Sequence, residues 1–165
     1  MSLATEQIAF PYSKIGVKSD NENVEYLGAY AGDLYPGMCV TGCQTIDGTN
    51  LPATAITSPD VDVPDDGSTD PLAVVLNQHS VGATIFDKVP EGDNVQVLRP
   101  ECNEAVLLMV VDSVQFSLGD RLCHNGDGTM RKADDSNDLA TAHKAMCESE
   151  LASNALVRLV LARVL

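Results

Sequence analysis

Of the side chains that a zinc ion prefers, Cys39, Cys43, Cys123, Cys147, His79, His124 and His143 are the potential ligands of this chain. Their spacing speaks against a shared centre. Cys39 and Cys43 would stand ~13 Å apart along a strand, and the neighbours Cys123 and His124 would point to opposite faces, so no tight pair converges on a tetrahedral ion. Buried free thiols serving as small apolar side chains are the reading that remains. Hydrolytic chemistry lacks its motifs as well. A nucleophile needs a base within hydrogen-bond reach, and the chain has neither a Gly-x-Ser-x-Gly elbow nor a Ser-x-x-Lys. Ser80 beside His79 does not substitute, because neighbours on a strand diverge. The carboxylate pairs Asp65-Asp66 and Asp134-Asp135 sit in polar breaks, where no apolar pocket raises one pKa above the other, so they read as solvated charges. The acidic stretch 58–71 is rich in oxygen ligands, but Pro64 stands where a third alternating calcium ligand should follow Asp60 and Asp62, and the closing Glu is missing. Gly126-x-Gly128 lacks the rest of a phosphate loop and reads as a turn. The sequence therefore assigns no catalytic residue, no cofactor site and no metal ligand.

Charge and length narrow the classes further. A formal charge of −14 with Lys and Arg scattered singly, save Arg131-Lys132, repels phosphate and argues against a nucleic-acid partner. Such acidity favours solubility at high concentration. The longest unbroken apolar run, 105–111, is a third of what a membrane span needs, and the first residues lack a signal-peptide pattern. Five cysteines, an odd number, fit a chain folded in a reducing cytosol. At 165 residues one domain can bury roughly 70% of its unfolded surface without staples.

The most legible element is 119–133. Gly119-Asp120 turns into a strand over 121–124, Asn125-Gly126-Asp127-Gly128 supplies residues that tolerate positive φ, and 129–133 returns antiparallel. A second unit enters at Gly37-Met38-Cys39-Val40 and returns through Asp47-Gly48-Thr49, so Asp-Gly-Thr-x-x-x-Ala occurs twice; Gly92-Asp93 opens a third strand. Further strands are expected over 24–30, 72–76, 84–87, 94–98, 114–118 and 156–165. The run 105–111 is the expected central strand, and 141–150, of mixed helical and strand character, is also assigned as strand. The total is about ten short antiparallel strands in an all-β barrel or sandwich spanning 24–165. Residues 1–23 read as an extended arm: Ile8, Phe10, Tyr12 and Ile15 are too apolar for an idle tail, while Pro11 and Gly16 make a poor core strand. These four are the expected interface residues.

The extended N-terminal segment, the Gly-Asp strand entries at Gly92-Asp93 and Gly119-Asp120, the Asp127-Gly128-Thr129 hairpin and the Leu156-Val157-Arg158-Leu159 ending resemble the capsid decoration (cement) proteins of tailed double-stranded DNA bacteriophages. The long acidic loop and the cysteine content depart from that pattern. The resemblance implies a small β-barrel-like virion protein, often a homotrimer, that binds the major capsid protein on the outside of an assembled HK97-type shell and stabilises it. A head fibre or minor tail protein is the alternative within the structural class. A cellular ligand- or metal-binding β-barrel is the alternative from another class.

Overall fold

A computed structural model describes residues 24–27, 34–40, 63–76, 86–89 and 95–165. Eight strands run through them: β1 Val24–Leu27, β2 Val74–Val75, β3 Val95–Leu98, β4 Ala105–Met109, β5 Arg121–His124, β6 Met130–Lys132, β7 Ala145–Cys147 and β8 Leu159–Val164. One 3-10 turn, Ala140–Ala142, is the only helical element among the described residues. The fold is all-β, in two antiparallel sheets with strand orders β1-β3-β2 and β4-β8-β7-β5-β6.

The composition of each run explains its place. Residues 72–76 are all buried, as a continuous apolar run requires when both of its faces are covered. β2 is the paired part of that run: Val74 and Val75 face Leu98 and Val97 of β3. On the other side of β2 runs the segment 37–40, joined by Gly37 N–H to the Val75 carbonyl, Val75 N–H to Met38 and Val40 N–H to Ala73, each at 2.9 Å. The two sheets share one core. Leu72, Val74, Leu76 and Leu98 from the first pack with Val106, Leu108, Phe116, Leu122, Met130 and Val160 from the second. A smaller cluster holds Leu34, Met38, Val40, Val75 and Val97 on the first sheet's other face. Each fully buried side chain of this size contributes about 1.5–3 kcal/mol relative to exposure.

The hairpin expected at 119–133 is present as β5 and β6, with Cys123 opposite Arg131 and His124 opposite Met130. Gly126 and Gly128 both hold φ +86 in its turn. Gly128 is needed for a second reason: a Cβ there would stand 2.6 Å from Met38 Cε and 3.2 Å from the Cys39 carbonyl, so the turn presses on the 37–40 segment. The second hairpin's return, 47–53, lies outside the described residues, as do residues 1–23.

Several expectations are corrected. The run 105–111 is not a central strand but the edge strand β4, and β8, the last strand in sequence, takes the interior place beside it. β4 is nonetheless buried, because its far end is covered: Met109 N–H bonds the Gly37 carbonyl at 2.8 Å, and Val110 meets Met130 in a parallel bridge. That bridge joins the two edges of the five-stranded sheet at one point, so the sheet curls without closing as a barrel. Segment 114–118 contributes a single bridge, Phe116 to Leu151, rather than a strand. Of 84–87, the described residues Phe86 and Asp87 form an exposed turn. Within 141–150, strand is confined to β7, preceded by the 3-10 turn.

Candidate functional site

Among the described residues, the metal-ligand side chains are held by different neighbours. Cys39 Sγ lies 3.5 Å from Met130 Sδ, in the core. Cys123 Sγ faces the Asp138 carboxylate at 3.5 Å and the Lys132 carbonyl at 3.9 Å. Burial pushes the Cys39 and Cys123 thiols up to about 12 and that of Cys147 up to about 11, so all three stay protonated at neutral pH. These cysteines serve as small apolar side chains; Cys102 is exposed. Among the described residues no three His, Cys, Asp or Glu side chains are grouped to hold a metal ion. Cys43, His79, Asp60 and Asp62 lie outside them.

His124 is 1% exposed and holds the acidic loop. Its Nε2 donates to the Asp70 carbonyl at 3.2 Å, and its Nδ1 is buried without a partner. Burial, the largest influence, pulls its pKa below the usual histidine value and keeps it neutral. The same loop is strapped at three further points: Gly67 N–H to the His124 carbonyl at 2.9 Å, Lys144 Nζ to the Thr69 carbonyl at 2.6 Å, and Asp66 to Arg131 Nε at 2.7 Å. The stretch from Val63 onward is thus a tied surface strap, more structured than a solvated loop. His143 is engaged elsewhere, its Nδ1 accepting from Arg121 Nη1 at 3.2 Å while Nε2 faces Asp135 at 3.9 Å.

Two arginines organise the polar surroundings of the second sheet. Arg131, on β6, pairs with Asp138 through both terminal nitrogens at 2.8 Å and with Asp66 through Nε. The Asp138 carboxylate, its side chain 7% exposed, also receives the Asp134 N–H at 2.6 Å. Its hydrogen bonds with Arg131 hold its pKa well below the usual carboxylate range. Arg158, just before β8, uses no carboxylate closely; Asp112 is 3.8 Å from its Nε and mostly solvent-exposed. Its guanidinium instead donates to the carbonyls of Val111 at 2.6 and 3.1 Å, Val114 at 2.6 Å and Ala152 at 2.8 Å. In doing so it fixes the 111–114 turn, where Ser113 adopts φ +60, a left-handed conformation that costs an L-residue ~1–2 kcal/mol. Phe116, fully buried, has Arg158 and Lys132 5.9 and 5.7 Å from its ring centre.

Next to this turn opens a groove of about 590 Å³, walled by Met109 to Asp112, by the hairpin residues Asn125, Asp127 and Thr129, and by Leu156 to Leu159, with Tyr35 and Phe86 opposite. Its rim carries two exposed apolar side chains, Leu156 at 99% and Phe86 at 55%. Its polar edge is Asp112 and Asp127. Asp127 is bound by the Thr129 hydroxyl at 2.5 Å and its N–H at 2.9 Å, which outweigh burial and lower its pKa. The groove thus pairs an apolar wall with a short polar edge. Sequence reasoning did not locate it, since its walls come from five separate parts of the chain. The expected interface residues Ile8, Phe10, Tyr12 and Ile15 lie outside the described residues.

No family model matches this sequence, and no curated protein does either. Among solved structures, the N base of the head fibre gp8.5 of bacteriophage phi29 is similar, with a TM-score of 0.50 at 13% identity over 86% of this chain and 94% of that one. At that identity the likeness is one of fold.

Proposed function

We propose that the chain is a structural protein of a bacteriophage virion, carried on the outer surface of the head, where it binds rather than catalyses. The observation that carries this reading is the fold: a two-sheet all-β body that matches a head-fibre base along nearly the whole of that chain. Two further features support it. The chain's charge of −14 suits a protein that must stay soluble at high copy number before it docks. Its polar side chains, moreover, are spent on fixing loops: Arg131, His124 and Arg158 each tie a turn to the sheets.

Within that class the chain acts as a decoration protein on the major capsid protein, in keeping with its sequence resemblance. A small oligomer, a homotrimer in this reading, gains retention because second and third contacts are intramolecular once the first is made. The structural likeness favours a second reading, the base of a head fibre. Copy number separates them. Quantitative mass spectrometry of purified particles of the encoding phage should find this chain in fixed ratio to the major capsid protein. A ratio near one per capsid subunit, or one per few, means decoration, and a ratio well below that means a fibre base. Its absence from particles overturns the proposal.

A further inference from the structure

We infer that the groove beside the 111–114 turn is the receptor for the chain's own N-terminal segment, residues 8–18. The groove is apolar along its floor, through Met109, Val110, Val157 and Leu159, and its rim exposes Leu156 almost completely. A leucine side chain left in water forgoes the stabilisation that burial would bring, and here it flanks a ready-made cavity. An apolar occupant would complete it. Residues 8–12 meet that description: Ile8, Phe10 and Tyr12 alternate, so in an extended backbone they point to one side over about 14 Å, with Pro11 on the other. Inserting alternate side chains into a groove is a common way for one chain to hold another.

Charge points to the same segment. Two carboxylates, Asp112 and Asp127, line the groove against one cation, with Asp112 88% exposed in its side chain and the Arg158 guanidinium directed to backbone carbonyls. On a chain of charge −14, residues 7–19 contain Lys14 and Lys18 and no acidic residue. Between the segment's end at Lys18 and Val24, where β1 begins, the chain extends about 20 Å at ~3.3 Å per residue, which sets how far the segment can reach from β1 on its own body or toward an adjacent copy. The contact stands on these observations alone, whether or not the protein is carried on a virion.

The test uses the full chain with a photo-crosslinking benzoylphenylalanine in place of Phe10, the crosslinked peptides being mapped by mass spectrometry. The expected links fall on 109–112, 125–129 or 156–159. A monomeric product means that the segment folds onto its own body, a dimeric one that a second copy donates it, and both are the inferred contact. Leu156→Asp should lower the yield several-fold, as should Asp112→Lys. Both positions are exposed, and an unchanged melting curve verifies that each variant folds. Links elsewhere, groove-to-groove dimers with the N-terminal probe unlinked, or full yield in both variants would overturn the inference.

Discussion

Arg131 and Arg158 stand on the same sheet and each fixes a loop, yet they do so with different acceptors. Arg131 holds the carboxylates of Asp138 and Asp66, whereas Arg158 holds carbonyl oxygens of Val111, Val114 and Ala152. The difference sets what can loosen each. A carboxylate can be protonated and its pairing screened by salt; a backbone carbonyl cannot titrate and stays where the fold puts it. Exposure separates them too, with side chains 24% and 9% accessible. The Arg131 end, which straps the acidic loop, is thus the environment-sensitive end. The Arg158 end, which forms the back wall of the groove, is the constant one.

The largest test of this contrast is Arg158→Ala. It strands the Val111 and Val114 carbonyls around a strained turn, while the exposed Ala152 carbonyl keeps the Ala155 N–H, and it removes a cation from Phe116, so the expected loss is about 3–4 kcal/mol, read as a lower denaturant midpoint at unchanged slope. Arg158→Lys should recover little, because one ammonium cannot span three acceptors set for a planar fork. Arg131→Ala releases the exposed Asp66 to water but leaves the Asp138 carboxylate, 7% exposed, without its cation, so it should cost about 2–3 kcal/mol, of which the Asp66 pairing is the part that salt screens. That cost should shrink in 1 M salt, while the cost of Arg158→Ala should not. Equal losses for the two alanine variants, or equal salt responses, would break the comparison.

Acid should produce the smallest and most diagnostic effects. His124 and Asp138 both have lowered pKa values in the folded chain, so on acidification the unfolded state binds protons first and stability falls. The windows differ. The His124 contribution is complete above about pH 6.5 and declines below it; the Asp138 contribution is complete above about pH 4 and is lost only as pH drops further. Asp138→Asn should therefore flatten the stability profile below pH 4 and leave the pH 5–6.5 region alone, whereas His124→Gln should flatten the latter. An Arg158→Ala profile should run parallel to that of the unmodified chain throughout. Urea melts at stepped pH measure all three.

What was legible in the sequence is what depends on near neighbours. The β5–β6 hairpin was readable because Asn125-Gly126-Asp127-Gly128 demands a turn whatever surrounds it, and β8 because the run 156–165 holds three valines and offers apolar side chains on both faces. The place of 105–111 was not readable. Apolarity says that a strand is covered, but β4 is covered at its edge by Gly37 and Met130, partners remote in sequence. Segment 114–118 misled for the complementary reason: its apolar Phe116 is buried as a plug between two cations rather than as part of a ladder. The tying of Asp66 to Arg131 was not readable either, because nothing local marks that pair.

The buried thiols give the molecule its own clock. Only the thiolate reacts with an alkylating reagent, and with pKa values near 12, 12 and 11, Cys39, Cys123 and Cys147 offer on the order of one thiolate in ten thousand or fewer at neutral pH even if they were reached. Modification must wait for the surrounding structure to open. Each sulfur then times the opening of its own neighbourhood: Cys39 the segment alongside β2, Cys123 the hairpin strand β5, Cys147 the strand β7. Alkylation rates followed cysteine by cysteine would rank those regions by local opening free energy without a single substitution, with exposed Cys102 marking the time at which unprotected sulfur reacts.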